Sequence, residues 1–170
     1  GSDDGTTAVA HRLGALVITA PPGRGSQLAA GAAAGTSDWL LFLHADTVLS
    51  PHWIDAVRRH IDTPANAGRA GYFRLRFDSG SPRARTVERL AAWRSRALGL
   101  PYGDQGLLIG RRLHDHIRGY RPLPLMEDVD LARRLGHSRL AELDAEAVTS
   151  ASRYERDGWA LRPLRNLCWL

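Results

Sequence analysis

Short apolar runs alternate with helix-like segments along the whole chain, and this alternation restricts the fold to an α/β layered domain with a largely parallel sheet. The run Ala15-Leu16-Val17-Ile18-Thr19-Ala20 has the length and β-branched content of a buried strand and is stopped by Pro21-Pro22-Gly23. An alanine-rich helix is expected from Ser26 to Gly35 and a second buried strand from Trp39 to His44. Ser50-Pro51 has the form of an N-cap followed by proline at the first helical position, opening a helix to about Ile61. Partial alternation predicts a strand over Gly71 to Phe77. Ser81-Pro82 repeats the helix-start signal for a segment reaching Leu98. A strand over Gly106 to Gly110, a helix over Glu127 to Leu135, an extended stretch within Arg139 to Ser150 and a helical tail from Tyr154, broken near Pro163, complete the pattern.

Length and composition narrow the chemistry. A chain of 170 residues with 44% hydrophobic residues has material for one α/β-sized domain. All 23 basic residues are arginine, so lysine Schiff-base chemistry and a Walker-type phosphate loop are excluded. The net charge of +5 is spread along the chain, which argues against a nucleic-acid partner. The single cysteine, Cys168, excludes an internal disulfide and a multi-cysteine zinc site. The longest strongly apolar run, Trp39 to Leu43, is far too short for a transmembrane segment, and residues 1–10 do not read as a signal peptide.

Two constellations carry candidate chemistry. A strand ending in His44-Ala45-Asp46 would present His44 and Asp46 on one side, at the carboxyl end where ligands bind in α/β sheets. A carboxylate there can hold a hard divalent cation while a diphosphate supplies further ligands; Asp46 as a simple turn cap is the competing reading. In Met126-Glu127-Asp128-Val129-Asp130, the acids fall in a helix's first turn, where the dipole favours negative charge. Asp128 is there the candidate proton acceptor, and Asp130 the partner of Arg134 at helical spacing.

Five segments occur in one order: Gly1-Ser2-Asp3-Asp4-Gly5-Thr6, Gly23-Arg24-Gly25-Ser26-Gln27, the strand ending His44-Ala45-Asp46, Pro101-Tyr102-Gly103-Asp104-Gln105-Gly106, and Met126-Glu127-Asp128. Together they resemble a small subgroup of family 2 glycosyltransferases. The resemblance implies a GT-A fold, one domain over 1–170 (donor side 1–62, acceptor side 63–170), and inverting transfer from a nucleotide-sugar to an acceptor hydroxyl. It implies that Asp46, with His44 in place of the first aspartate of Asp-x-Asp, holds a divalent cation, Mn2+ or Mg2+. Imidazole at that place favours manganese. By the same resemblance, Asp128 is the catalytic base with Glu127 beside it, and Asp3, Asp4 and Arg24 contact the donor. Asp104 and Gln105 fall in the acceptor-side wall. Arg153-Tyr154-Glu155-Arg156-Asp157-Gly158-Trp159 is similar to a degenerate Gln-x-x-Arg-Trp motif, which places Arg153, Arg156 and Trp159 near the acceptor and leaving group.

The resemblance further implies that the family's opening strand–helix–strand is absent before Gly1, and a cytoplasmic location with peripheral membrane attachment left open. Two alternatives are carried forward. Gly23-x-Gly25-x-x-Leu28 imitates a dinucleotide fingerprint with leucine at its third glycine, as in a nicotinamide-dependent oxidoreductase. A non-catalytic remnant acting as a binding module is the other.

Overall fold

The computed structural model describes residues 4–123 and 125–159, without the side chains of Arg153 and Asp157. Its helices are α1 (Thr6–Arg12), α2 (Arg24–Ala34), α3 (Trp53–Asp62), α4 (Pro82–Leu98), α5 (Arg111–His116), α6 (Glu127–Leu135) and α7 (Ser152–Asp157). Its strands are β1 (Trp39–Phe42), β2 (Thr47–Leu49), β3 (Ala70–Phe77), β4 (Leu107–Gly110) and β5 (Leu140–Thr149), and they form one sheet in the order β1-β4-β3-β5-β2.

Alternation along the central strands divides the core into two layers. Tyr72, Leu107, Ile109 and Leu140 face one side, where they meet Leu131 and Leu135 of α6 and Tyr120. Phe73, Leu108, Leu143 and Ala145 face the other and pack with Ala56 and Val57 of α3. Consecutive residues of a strand must point to opposite faces, so β3 has to be apolar on both sides once helices cover both. A third cluster joins Leu75 and Phe77 to Ala84 and Ala91 of α4 and to Ala151, with Trp159 packed against it.

The sheet is mixed. β3 and β5 pair in parallel over the longest ladder, while β1–β4, β3–β4 and β2–β5 are antiparallel. Strands β1, β3 and β5 therefore share a direction, and β4 and β2 oppose them. The consequence for function is geometric: the carboxyl ends of β1 and β5 and the amino end of β4 all lie at the same edge of the sheet.

Several local expectations hold closely. Ser81 caps α4, its Oγ accepting from Arg83 N at 3.2 Å with Pro82 at the first position, and the helix ends at Leu98 with Gly99 in the left-handed region. Others need correction. Ala15–Ala20 takes no regular secondary structure and belongs to no strand among the described residues, and Leu16 is 78% exposed. β1 pairs only with β4 among the described strands, so the run has no neighbour to complete its hydrogen bonds. β1 stops at Phe42, short of His44. Ser50 does not cap α3, which starts at Trp53; its Oγ accepts instead from Glu146 N at 3.0 Å, and its carbonyl from Trp53 N at 3.0 Å. The intervening strand β2 was not expected. Residues 160–170 of the tail lie outside the described residues.

His60 of α3 is buried, donates from Nε2 to the Arg69 carbonyl at 3.2 Å, and packs edge-on against Trp39. Its pKa is lowered, first by burial and then by the Arg69 charge, against the effect of the carbonyl. A depressed imidazole contributes stability that is present above the ordinary value of 6.5 and lost as pH falls through the folded-state pKa. Denaturant titrations at pH 8 and pH 5 should show a larger loss of stability on acidification for the wild type than for His60→Gln. Equal losses would contradict this role for His60.

Candidate active site

Where the three strand ends converge, a cleft of about 780 Å³ opens. Its wall is built from five places in the chain. The first turn of α2 contributes Arg24, Gln27 and Leu28, and the connection after β1 contributes His44 and Asp46. The loop before β4 gives Tyr102, Gly103 and Asp104; Met126 and Asp128 come from the start of α6, with Thr149, Ser150 and Tyr154 from the end of β5 and the residues after it.

The segment carrying Asp46 is fixed by β2. Thr47 N donates to the His44 carbonyl at 3.2 Å, and Thr47 pairs with Thr149 across β2 and β5. Thr149 Oγ1 donates to the Asp46 carbonyl at 3.3 Å. The backbone of Asp46 is thus tied to the end of β5, and the side chain stands exposed at the cleft. His44 and Asp46 do share the cleft, through this turn and not through strand alternation.

Asp128 is positioned from two sides. Its Oδ1 accepts from Val129 N at 2.8 Å and its Oδ2 from Gly103 N at 2.5 Å. Gly103 has no room for a side chain: a Cβ would run into the His44 ring and lie 3.2 Å from Asp128 Oδ2. A side chain here would push the His44 ring from its place beside Arg24, so glycine suits the close passage of this backbone past both functional side chains. Met126, just before the acids, adopts a left-handed conformation (φ 60°) that non-glycine residues seldom take.

Glu127 is 1% exposed, and its Oε1 receives Arg24 Nε at 3.1 Å. Its Oε2 is buried without a hydrogen-bond partner. Burial raises the pKa of Glu127, while its own backbone amide and the Arg24 charge oppose the rise and Asp128 adds to it. Arg24 also donates from Nη2 to His44 Nε2. One guanidinium thereby joins α2, the segment after β1 and α6. Gly25, next along, is packed so closely under the Arg121 carbonyl that a Cβ would overlap it. The second glycine of the apparent dinucleotide fingerprint is thus used for chain–chain approach, and among the described residues no paired strand precedes the turn.

Asp104 lies within the influence of these charges. Its Oδ1 is covered and has no hydrogen-bond partner, and its pKa is pushed up to about 6, mainly by burial. Asp128 and Asp46 add to the shift; Arg94 and Arg24 oppose it. Gln105 departs from expectation. It is 1% exposed and every side-chain contact is internal: Oε1 accepts from Ser95 Oγ at 2.8 Å and Arg94 Nη2 at 3.1 Å, and Nε2 donates to the Phe73 carbonyl at 3.1 Å. It supports the loop and does not face the cleft. Trp159 packs edge-on against Phe77, and neither it nor Arg156 lines the cleft. Asp4 accepts from Thr6 N and Oγ1 beside α1, also away from the cleft. Asp3 and the side chain of Arg153 lie outside the described residues. Thr149, Ser150 and Tyr154 were missed because only the sheet topology brings the end of β5 to this edge.

This arrangement can be compared with known proteins. Residues 1–123 match the family described as Glycosyl transferase family 2. The chain belongs to that family. No curated protein matches the chain. Among solved structures, glucosyl-3-phosphoglycerate synthase from Mycobacterium tuberculosis in complex with phosphoglyceric acid is similar at a TM-score of 0.56 and 20% identity, covering 88% of this chain and 56% of that one. The same enzyme with Mn2+, uridine-diphosphate-glucose and phosphoglyceric acid gives a TM-score of 0.54 at 21% identity, covering 84% and 55%. With Mn2+, uridine-diphosphate and glucosyl-3-phosphoglycerate it gives 0.55 at 20%, covering 88% and 56%. The family 2 chain thus spans little more than half the length of these proteins, and the likeness establishes a GT-A fold. No helix among its described residues is long and apolar enough to cross a membrane.

In this family 2 chain the Arg24–Glu127 contact makes a specific demand. Arg24→Ala leaves the Glu127 carboxylate buried without its cation, which raises its pKa further. The variant should unfold more easily than wild type at pH 8, and the deficit should shrink at pH 5 as Glu127 takes up a proton. A deficit of the same size at both pH values, measured by denaturant titration, would remove the ion pair from the account.

Proposed function

We propose that the protein is an inverting glycosyltransferase that moves a sugar from a nucleotide-sugar donor to an acceptor hydroxyl. The observation that carries the proposal is that Asp46 and Asp128, far apart in sequence, line one cleft. Family membership and the GT-A fold support it, as do the donor and Mn2+ held by the similar mycobacterial synthase.

On this reading α2 and the segment after β1 form the donor wall. Arg24 offers a planar, permanently charged donor set for a diphosphate, and its bond to Glu127 keeps the guanidinium at the cleft. A divalent cation fits at Asp46. The carboxylate is exposed there, and among the described residues no three His, Cys, Asp or Glu side chains are grouped to hold an ion unaided. That donor set suits a hard cation whose remaining ligands are water and diphosphate oxygen. His44 is the second candidate ligand. Its Nε2 already receives Arg24, so ligation requires Arg24 to turn toward the diphosphate. When bound, the cation would supply charge neutralisation at the leaving diphosphate.

Asp128 and the Tyr102–Asp104 segment form the acceptor wall. The two amide hydrogen bonds hold the Asp128 carboxylate in one orientation and leave each oxygen a further lone pair. Asp128 takes the proton of the acceptor hydroxyl as that oxygen bonds to the anomeric carbon. The carbon–oxygen bond to the diphosphate breaks, and its electron pair leaves with the diphosphate. Attack from the face opposite the leaving group inverts the anomeric centre.

Asp128→Asn retains the shape but keeps only one of the two amide contacts, because its NH2 cannot accept from a backbone N–H, and it cannot act as the base. Transfer should fall by about 10²–10⁴-fold, the usual worth of a positioned proton acceptor, while donor binding measured by calorimetry stays unchanged. Turnover equal to wild type would exclude Asp128 from the chemistry.

A further inference from the structure

Among the described residues, the outward face of α4 is apolar and basic, and nothing covers it. Successive helical positions turn by about 100°, so Thr86, Leu90, Trp93 and Ala97 fall on one stripe, opposite the buried Ala84, Glu88, Ala91 and Ser95. Leu90 is 56% exposed, Trp93 60% and, at the last turn, Leu98 52%. Arginines border the stripe on both sides: Arg83 on one flank, Arg89 and Arg96 on the other, all exposed. Arg96 is paired with Glu142 at 2.7 Å; Arg83 and Arg89 have no ion pair among the described residues. The one acid of the helix, Glu88, is buried and bound by Arg85 and Arg76. A soluble helix face ordinarily carries charges of both signs; this one shows Leu90, Trp93 and cations beside Thr86 and Ala97, with no exposed acid.

We propose that this face of α4 docks on an anionic lipid surface, with Leu90 and Trp93 entering the headgroup boundary and Arg83 and Arg89 resting on lipid phosphates. Charge complementarity selects this occupant. Leucine and tryptophan on one side and arginine beside them are what an interfacial helix needs, and tryptophan is at home at the level of the headgroups. The chain's own residues 160–170 contain four leucines, a tryptophan and two arginines but no acid. Covering α4 with them would bring like charges together. The helix is also joined to the cleft. Arg94 stacks on the Tyr102 ring, 3.3 Å from its centroid, and donates from Nε to the Leu100 carbonyl at 2.8 Å. A protein resting on α4 would hold the Tyr102 wall in fixed relation to the surface. Docking does not depend on the transferase reading, and either can fail without the other.

The test is co-sedimentation with large vesicles of pure phosphatidylcholine and of phosphatidylcholine containing phosphatidylglycerol, at low and high salt. Wild type should bind the anionic vesicles, release at high salt, and ignore the neutral ones. Leu90→Ser/Trp93→Ser should reduce partitioning by at least about tenfold, from the lost apolar burial. Arg83→Gln and Arg89→Gln should each reduce it about fivefold, the worth of roughly one kcal/mol per arginine near such a surface. All four positions are exposed, and an unchanged unfolding midpoint confirms that each variant is folded. The proposal is overturned by absence of vesicle binding, by equal binding of wild type and the double variant, or by binding to neutral vesicles as strong as to anionic ones. A concentration-dependent dimer that dissociates in the double variant, without vesicle binding, would assign the face to a second copy of the chain and overturn it as well.

Discussion

A buried carboxylate that has one cationic partner constrains the site more than any other feature. Glu127 lies at the start of α6 with one oxygen on Arg24 and the other without a partner. Removing a charge from water is costly unless it is compensated, so Arg24 must sit where it does for Glu127 to be ionised in that place. Arg24 belongs to α2 and also bonds His44, so the same requirement sets the distance between α2, the segment leaving β1 and the helix that carries Asp128. The cleft lined by Asp46 and Asp128 is bounded by the elements this contact joins.

The sheet places these elements so that one ion pair can join them. Because β4 runs against β1 and β3, the loop entering β4 arrives at the edge where β1 and β5 end. That loop brings Gly103 N to Asp128 and Asp104 to the cleft that Asp46 and Asp128 line. Beneath it Gln105, fully buried, ties β3 to α4 through the Phe73 carbonyl, Ser95 and Arg94. Charge is concentrated there: burial and two neighbouring aspartates push Asp104 up, against two arginines. Under the proposed function, these carboxylates and guanidinium groups at the strand ends would meet the nucleotide-sugar and the acceptor hydroxyl.

Local chemistry made much of this legible in the sequence. Ser81-Pro82 marks the start of α4 because a cap and a preset φ act within two residues, and the acids at the start of α6 are read by the helix dipole. Gly103 belongs to a quoted motif, yet its reason, the absence of space between the His44 ring and Asp128, depends on segments far away in the chain. β2 was invisible because three residues carry no period, and its existence depends on pairing with β5 about one hundred residues later. The apolar run Ala15–Ala20 read as a buried strand since periodicity reports composition and cannot report whether a neighbouring strand is there. Gln105 looked like a binding group for a related reason: amide side chains serve ligands and backbone alike, and the choice is made by burial. The pairing of Asp46 with Asp128 was the inference that the sequence carried through the family resemblance, and the cleft brings the two together.

Calorimetric titration of a panel of nucleoside diphosphates, with and without Mn2+, into wild-type protein and Asp46→Asn tests the central claim of the proposed function most directly. The account predicts binding heat that depends on the cation in wild type and loses that dependence in Asp46→Asn. Nucleotide binding that ignores Mn2+ in wild type, or a cation dependence that survives the substitution, would contradict it.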